Sequence, residues 1–562
     1  MSALVPDAVD PNVAIPVVRA GLGRNTSLMA SGTALSRVLG LARIALLVYA
    51  IGPTGIAADS FAIGNSLPNV LFLLIAGGVL NAVLVPQVVR AYQRPGSDGE
   101  EYVNRLLTLG TALLVGCAAL LTLAAPLIVP VFSSFRDPHV TGLAVLFAYW
   151  CLPQIFFYGL YSLLGQVLNA RGSFGPLMWA PVVNNVVAIA GLGVFIGVFG
   201  IYHDHNVALG DPGAWTATKV ALLAGTATLG VVAQALVLLV PLHRSGFRYR
   251  PRWGLRGVGL ATAGRVALWT FAGLAVGQVG VVVVYNVSSA VGNTTDGGAG
   301  LAGTAMYGYA FLVFMLPHSL VTVSLLTALF TGLSARAAAG DLPAVRADLS
   351  FGLRTVGLFT VIAAAVLMVL ASPVARVLQP GASAQEVTAL AGVIVAMLVG
   401  LPAFGAWSMA QRVFYAYADA RAMFPIQVVM AAVVVVGALL AQALTAPRYW
   451  VVGAGIAMSS SYVVGATVAL WMLAYRLKGI DARRIARPHL LAGTAAAVAA
   501  GTGWGMARLL GGFDGGLAHA VLISIAIGLV MLGVYVALLK VMRVAELDDL
   551  LRPLLRQMRR RT

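Results

Sequence analysis

Two arginines six residues apart stand in the first apolar stretch of this chain, in the run Ser36-Arg37-Val-Leu-Gly40-Leu-Ala-Arg43. On a helix of about 3.6 residues per turn they point roughly 120° apart. A cation in hydrocarbon is costly and ordinarily faces a cavity or a partner. The pair, with Ser36 beside it, therefore reads as a cationic wall for an anionic ligand. Arg37 has a competing reading, because it lies near the start of the stretch and its long stem can reach the headgroups. Arg43 is more than two turns further in, where that escape is harder. The second stretch opens at Asp59 and runs through Asn65 and Asn69. These asparagines are four apart and share a helix face, while Pro68 between them removes a helix hydrogen bond and predicts a bend. A bent, asparagine-bearing helix suits a cavity wall that changes shape. Each Asn serves equally well as an interhelical hydrogen-bonding group.

Other chemistry is sparse. No nucleophile–base–acid set falls within the apolar stretches, so no catalytic residue is assigned and the chain reads as a non-enzyme. His203 and His205 flank Asp204 in a loop, a pattern that a solvated turn explains better than a metal, and no metal or cofactor is expected. Cys117 and Cys151 both sit in apolar runs. One pair at most excludes a disulfide framework, and each reads as a small apolar filler.

The elements that position these residues follow from composition. The chain has 562 residues, 60% of them hydrophobic and only 10% charged, with a mean hydropathy of +0.92. Soluble domains carry about 25% charge, so a soluble enzyme, a nucleic-acid binder and a disordered scaffold are all poor readings despite the net charge of +17. A membrane-spanning helix needs about 20 mainly apolar residues. Fourteen such stretches are predicted, at about 30–51, 60–89, 106–131, 142–169, 177–200, 219–242, 266–291, 302–333, 352–378, 386–415, 424–446, 451–475, 490–510 and 517–540. With the N-terminus in the cytoplasm, 29 of the 36 Lys and Arg fall on the cytoplasmic side and five on the other, Arg37 and Arg43 lying within the first span. Cytoplasmic loops are enriched in Lys and Arg. The excess is thus a topology signal that places both termini inside, and no nucleic-acid partner is needed.

The spans also repeat. Leu67-Pro68 in the second span and Leu316-Pro317 in the eighth are 249 residues apart, and Arg171 and Pro176 recur as Arg421 and Pro425 at offsets of 250 and 249. The expected fold is an all-α polytopic membrane protein with two pseudo-symmetric six-helix lobes plus two C-terminal helices. Its expected parts are a cytoplasmic tail (1–27), a first lobe (28–243), a basic linker (244–265), a second lobe (266–476), two additional spans (477–540) and a basic tail (541–562). Parallel repeats of this kind place a site between lobes near the midplane and rock against each other. The small residues of the thirteenth span, among them Ala495, Ala496, Ala499 and Ala500, suit either a groove for a lipid tail or close helix packing.

The run Ser36-Arg37-Val38-Leu39-Gly40 through Arg43, Gly52, Ala58-Asp59-Ser60-Phe61, Leu67-Pro68-Asn69, Gly77 and Val85-Pro86 resembles the MurJ (MviN-like) lipid II flippases of the multidrug/oligosaccharidyl-lipid/polysaccharide exporter superfamily. Phe414-Tyr415 with Asp419 and Arg421 is similar to that family's loop between the tenth and eleventh spans, although Ala422-Met423 replaces the expected Thr-Pro. The resemblance implies a bacterial cytoplasmic-membrane transporter that moves the undecaprenyl-pyrophosphate-linked peptidoglycan precursor outward by alternating access. It also implies membrane lipids and cell-wall synthesis proteins as partners, and Arg37, Arg43 and Asp59 as cavity positions. Phe72 and Leu312 stand where the family often has arginines, so the grip on pyrophosphate must lean on Arg37, Arg43 and the neutral donors Asn65, Asn69 and Asn286. The competing readings are a flippase for another polyprenyl-linked oligosaccharide and a non-transporting scaffold of cell-wall synthesis. A cation antiporter is disfavoured, since Asp59 sits at a span's end and no other Asp or Glu lies deep in a span.

Overall fold

A computed structural model describes residues 22–76, 98–202, 212–254, 260–294, 298–510 and 517–547. Gly77, Val85, Pro86, the His203–His205 cluster and most of both tails lie outside the described residues. Among the described residues, fourteen helical segments long and apolar enough to cross a membrane follow in order, the bent tenth counted as one, and no strand occurs. The first six are α1 (Leu22–Ile51), α2 (Ile56–Ile75), α3 (Asp98–Leu123), α4 (Pro138–Ala170), α5 (Gly175–Phe199) and α6 (Ala217–Arg244). The next six are α7 (Leu260–Ser289), α8 (Thr304–Ala338), α9 (Leu342–Val369), α10 (Ala384–Leu398 with Leu401–Ala416), α11 (Ala420–Leu444) and α12 (Trp450–Arg476). The last two are α13 (Ala482–Leu509) and α14 (Leu517–Val541). Each is made of runs apolar enough to bury its own backbone polarity in helical hydrogen bonds, which hydrocarbon demands.

The duplication is visible in the packing. In the first lobe α5 lies between α1 and α6, and in the second α11 lies between α7 and α12. Small residues let these backbones approach. A Cβ on Gly191 would come within 2.4 Å of Thr226, and one on Gly453 within 2.3 Å of the Ala441 Cβ. The paired prolines differ. The α2 helix continues through Pro68, whereas Pro317 is followed at once by a π-helical turn over His318–Thr322. The expected bend is therefore resolved differently in the two halves, since the eighth span absorbs its missing hydrogen bond by local widening.

The tenth span is a broken helix, Ala384–Leu398 and Leu401–Ala416, bent by 41°. Gly400 sits at the break, its N–H donating to Ser459 Oγ (3.1 Å), and Pro402 restarts the helix. The surplus pair docks on the second lobe. Ala492, Ala495, Ala496, Ala499 and Ala507 of α13 are buried against Leu358 and Ile362 of α9 and Ile523, Ile527 and Met531 of α14. Of the two uses open to those small residues, close packing takes this face.

Candidate functional site

The two ends of the bundle differ in charge. Arg171, Arg250, Arg346 and Arg476 mark an arginine-rich end, and the loops after α1, α3 and α7 mark an arginine-poor end. Between them, Arg43 is half-buried in the first lobe. Its electrostatic neighbours are the Tyr158 phenol and the Cys151 thiol of α4. The same thiol lies 3.9 Å from Asn65 Oδ1 on α2, so the asparagine face of α2 and the deep arginine of α1 meet at one place. A polar chain leads away from it. Tyr158 donates to Gln154 Oε1 (3.2 Å), and Gln154 Nε2 donates to Thr228 Oγ1 on α6 (2.8 Å). No ion pair among the described residues engages Arg43. An arginine at a span centre costs about 2.5–3.5 kcal/mol on insertion scales. Here that cost is not offset by a carboxylate, which leaves the fork available to an external anion.

The other expected residues are distributed as follows. Arg37 and Asn69 are exposed, and Asn69 stands one turn beyond Asn65 on the same face. Ser36 is tied to α5, where Asn185 Nδ2 donates to its carbonyl (2.9 Å) and to its Oγ (3.3 Å). Asp59 and Asn286 are not beside Arg43 but at the seam between the lobes, toward the arginine-poor end. Asp59 is buried (3% exposed), and its Oδ1 accepts from the Ala305 N–H (2.8 Å) at the first turn of α8. An acidic side chain at a helix N-terminus satisfies an orphan N–H and complements the macrodipole. Gly303 makes that approach feasible, since a Cβ there would lie 2.0 Å from Asp59 Oδ2. Asn286 is fully engaged. Its Nδ2 donates to the carbonyls of Val131 (2.7 Å) and Val282 (2.9 Å), and its Oδ1 accepts from Ser134 Oγ (2.7 Å).

More of this seam was not foreseen. Thr54 Oγ1 donates to Glu386 Oε1 (2.8 Å) and accepts from the Gly300 N–H (3.3 Å). Glu386 is itself the N3 residue of a capping box with Ser383. Asn293 donates to the Ser134 carbonyl (2.6 Å) and accepts from the Arg136 N–H (2.9 Å). The Ser383-x-x-Glu386 spacing is readable as a helix start. Its partner 332 residues away is not. The Tyr158–Gln154 pair could have been noticed as two polar groups one turn apart in an apolar span.

The second lobe holds a neutral counterpart, a cavity of about 300 Å³ lined by Gln278, Gln411, Gln427, Tyr307, Tyr462 and Ser461 among others. Gln278 Oε1 and Gln427 Oε1 are buried without a hydrogen-bond partner. No arginine or lysine lines this cavity, which sets it apart from the site around Arg43.

Comparison with known proteins agrees with this architecture. The family described as "Lipid II flippase MurJ" matches residues 47–543. The "Probable lipid II flippase MurJ" of Haemophilus influenzae is 26% identical over 266 residues, 45% of this chain and 48% of that protein. The "Lipid II flippase MurJ" of Burkholderia cenocepacia is 28% identical over 354 residues, 62% of this chain and 63% of that protein. The chain therefore spans about half to under two thirds of the length of these curated relatives. A solved structure described as "Lipid II flippase MurJ, inward closed conformation" superposes with a TM-score of 0.66 at 19% identity, covering 91% of this chain and 98% of that one; at that identity the likeness is one of fold.

Proposed function

This chain belongs to the lipid II flippase MurJ family, and from that premise we propose that it carries a polyprenyl-pyrophosphate-linked peptidoglycan precursor (lipid II) across the inner membrane by alternating access. The observation that carries the reading is Arg43, a deep cation without an ion pair among the described residues, set against neutral hydrogen-bonding groups rather than carboxylates. A guanidinium fork matches the oxygens of a pyrophosphate in geometry as well as charge. Asn65 and Tyr158 stand beside it as neutral partners for the phosphate or first sugar, and Arg37 and Asn69 lie on the route by which a headgroup reaches it.

In this reading both termini are cytoplasmic and the arginine-rich end faces the cytoplasm. The headgroup enters from that end, where no ion pair among the described residues joins the lobes, while the seam of Asp59, Thr54, Asn286 and Asn293 closes the opposite end. Binding shifts the population of the two arrangements only by its differential affinity for them. Neutralising Arg43 by pyrophosphate in one arrangement supplies such a difference. Asp59, Asn286 and Ser36 then act by holding helices rather than by touching the ligand.

The test is Arg43→Ala in cells depleted of the native protein. The expected result is folded protein in the membrane, no support of growth, and lipid-linked precursor accumulating on the cytoplasmic side. Full complementation by that variant would overturn the assignment of Arg43. A normal precursor pool together with loss of a different polyprenyl-linked glycan would overturn the substrate.

A further inference from the structure

The arginine-rich end holds a second, strongly basic cavity, of about 440 Å³, that the transport reading does not use. It lies where the surplus helices meet the second lobe. Arg354 comes from α9, Arg483, Arg484 and Arg487 from the first turns of α13, and Arg543 and Glu546 from the segment after α14. Arg354 and Glu546 form an ion pair, their side chains 11% and 8% exposed. Glu546 thus answers one arginine and leaves a net charge of about +4 around the cavity. The other four arginines are exposed, and none is in an ion pair among the described residues.

Two features say what this charge awaits. Arg483, Arg484 and Arg487 stand at the N-terminal end of a 28-residue helix, the positive end of its macrodipole, where cations are disfavoured and anions favoured. The placement is adverse unless an anion sits among them. The cavity is also not wholly polar. Leu491 and Val544 line it, and the adjoining flanks of α13 and α14 expose Leu490 (71%) and Val541 (78%). A basic mouth over an apolar flank fits a ligand with an anionic phosphate head and hydrocarbon chains. Basic pockets between membrane helices on the cytoplasmic side bind lipid headgroups by this combination.

We propose that this cavity binds the phosphodiester headgroup of an anionic phospholipid from the same leaflet, and that the lipid fastens α13 and α14 to α9. Bidentate arginine–phosphate contacts hold the headgroup, and selectivity over zwitterionic lipid comes from net charge, because the arginine cluster repels the quaternary ammonium of a zwitterionic headgroup. The site is separate from Arg43 and does not depend on which polyprenyl lipid is carried.

The test uses the full chain in nanodiscs of phosphatidylcholine, with or without phosphatidylglycerol, and reads thermal stability. Wild type is expected to gain stability with phosphatidylglycerol. The triple variant Arg483→Gln/Arg484→Gln/Arg487→Gln is expected to lose that gain while matching wild type in phosphatidylcholine alone. Arg248→Gln, at the same end but outside the cavity, is expected to keep it. Where the triple variant fails to fold, Arg487→Gln decides, with an expected weakening of about fivefold in the phosphatidylglycerol concentration needed. An undiminished gain in the cavity variants, or an equal loss in Arg248→Gln, would overturn the site. An equal gain from inorganic phosphate in phosphatidylcholine discs would overturn the lipid as its ligand.

Discussion

The arginine-poor and arginine-rich ends are built from similar groups but joined differently. At the poor end, the hydrogen bonds from Thr54 to Glu386, from Ala305 to Asp59, from Ser134 to Asn286 and from Asn293 to Ser134 all run between the lobes. At the rich end those among the described residues stay within a lobe. Arg171 binds Glu100 (2.6 Å) and the Ser245 carbonyl (2.6 Å) in the first. Arg476 binds Asp419 (2.5 Å), and Arg346 the Leu477 carbonyl (2.5 Å), in the second. Among the described residues no ion pair at the rich end crosses between lobes. The abundant charge there stiffens each lobe separately. The few polar groups at the poor end hold two bodies together. Number of charges and strength of coupling are therefore unrelated, and the seam matters more because its Asp59–Ala305 and Thr54–Glu386 bonds are buried and have no water to fall back on.

The contrast can be broken most completely by locking the seam. Ser134→Cys with Asn293→Cys, in a background lacking Cys117, is expected to cross-link in the absence of substrate and to abolish transport until reduced. Transport at full rate with the cross-link complete would mean that the seam need not open. Next in size is Gly303→Ala. The new methyl would meet Asp59 Oδ2 at 2.0 Å, so the seam must part and spontaneous cross-linking of the same pair should fall sharply. Asp59→Ala keeps the shape but strands the Ala305 N–H. A buried unsatisfied group costs about 1–3 kcal/mol, so the closed arrangement should lose about 5- to 150-fold in population, read as the rate of that cross-link. Asn286→Ala removes two neutral bonds between the lobes, to Val131 and Ser134. Asn286 is only half-buried and water can take its place, so the effect should be about 1 kcal/mol in all, at the low end for two such bonds.

Smallest is Arg336→Ala at the rich end. Its ion pair with Asp348 is half-exposed on the arginine side, and surface pairs contribute about 0–1 kcal/mol. It is expected to leave the cross-linking rate of the seam unchanged. An effect as large as that of Asp59→Ala would erase the distinction between the ends.

Much of this organisation was legible in the chain because it is one-dimensional. Span length, arginine placement and the recurrence of Leu67-Pro68 as Leu316-Pro317 depend only on local composition and order. The depth of Arg43 and the shared face of Asn65 and Asn69 follow from helix geometry alone. What could not be read depends on distant partners. Asp59 looks like a cavity carboxylate until Ala305, 246 residues on, offers it a helix terminus. Asn286 looks like a free donor until the loop carrying Val131 and Ser134 occupies it. Cys151 looks like apolar filler until α2 and α4 place it between Asn65 and Arg43. The break in α10 had a signal in Gly400-Leu401-Pro402, but the reason it is needed, contact with Ser459 of α12, lies outside the span.

The central claim, that one end is fastened while the other is free and that the ligand reverses this, is tested most directly by paired spin labels. Labels at His139→Cys and Ala384→Cys report the arginine-poor end, and labels at Arg248→Cys and Ala339→Cys report the arginine-rich end, all four positions being exposed. Without ligand, the poor-end distance should be short and narrowly distributed and the rich-end distance long. Adding a polyprenyl-pyrophosphate-linked substrate should populate a longer poor-end distance and a shorter rich-end distance together. Movement of both ends in the same direction, or no movement at either end with substrate bound, would contradict the account.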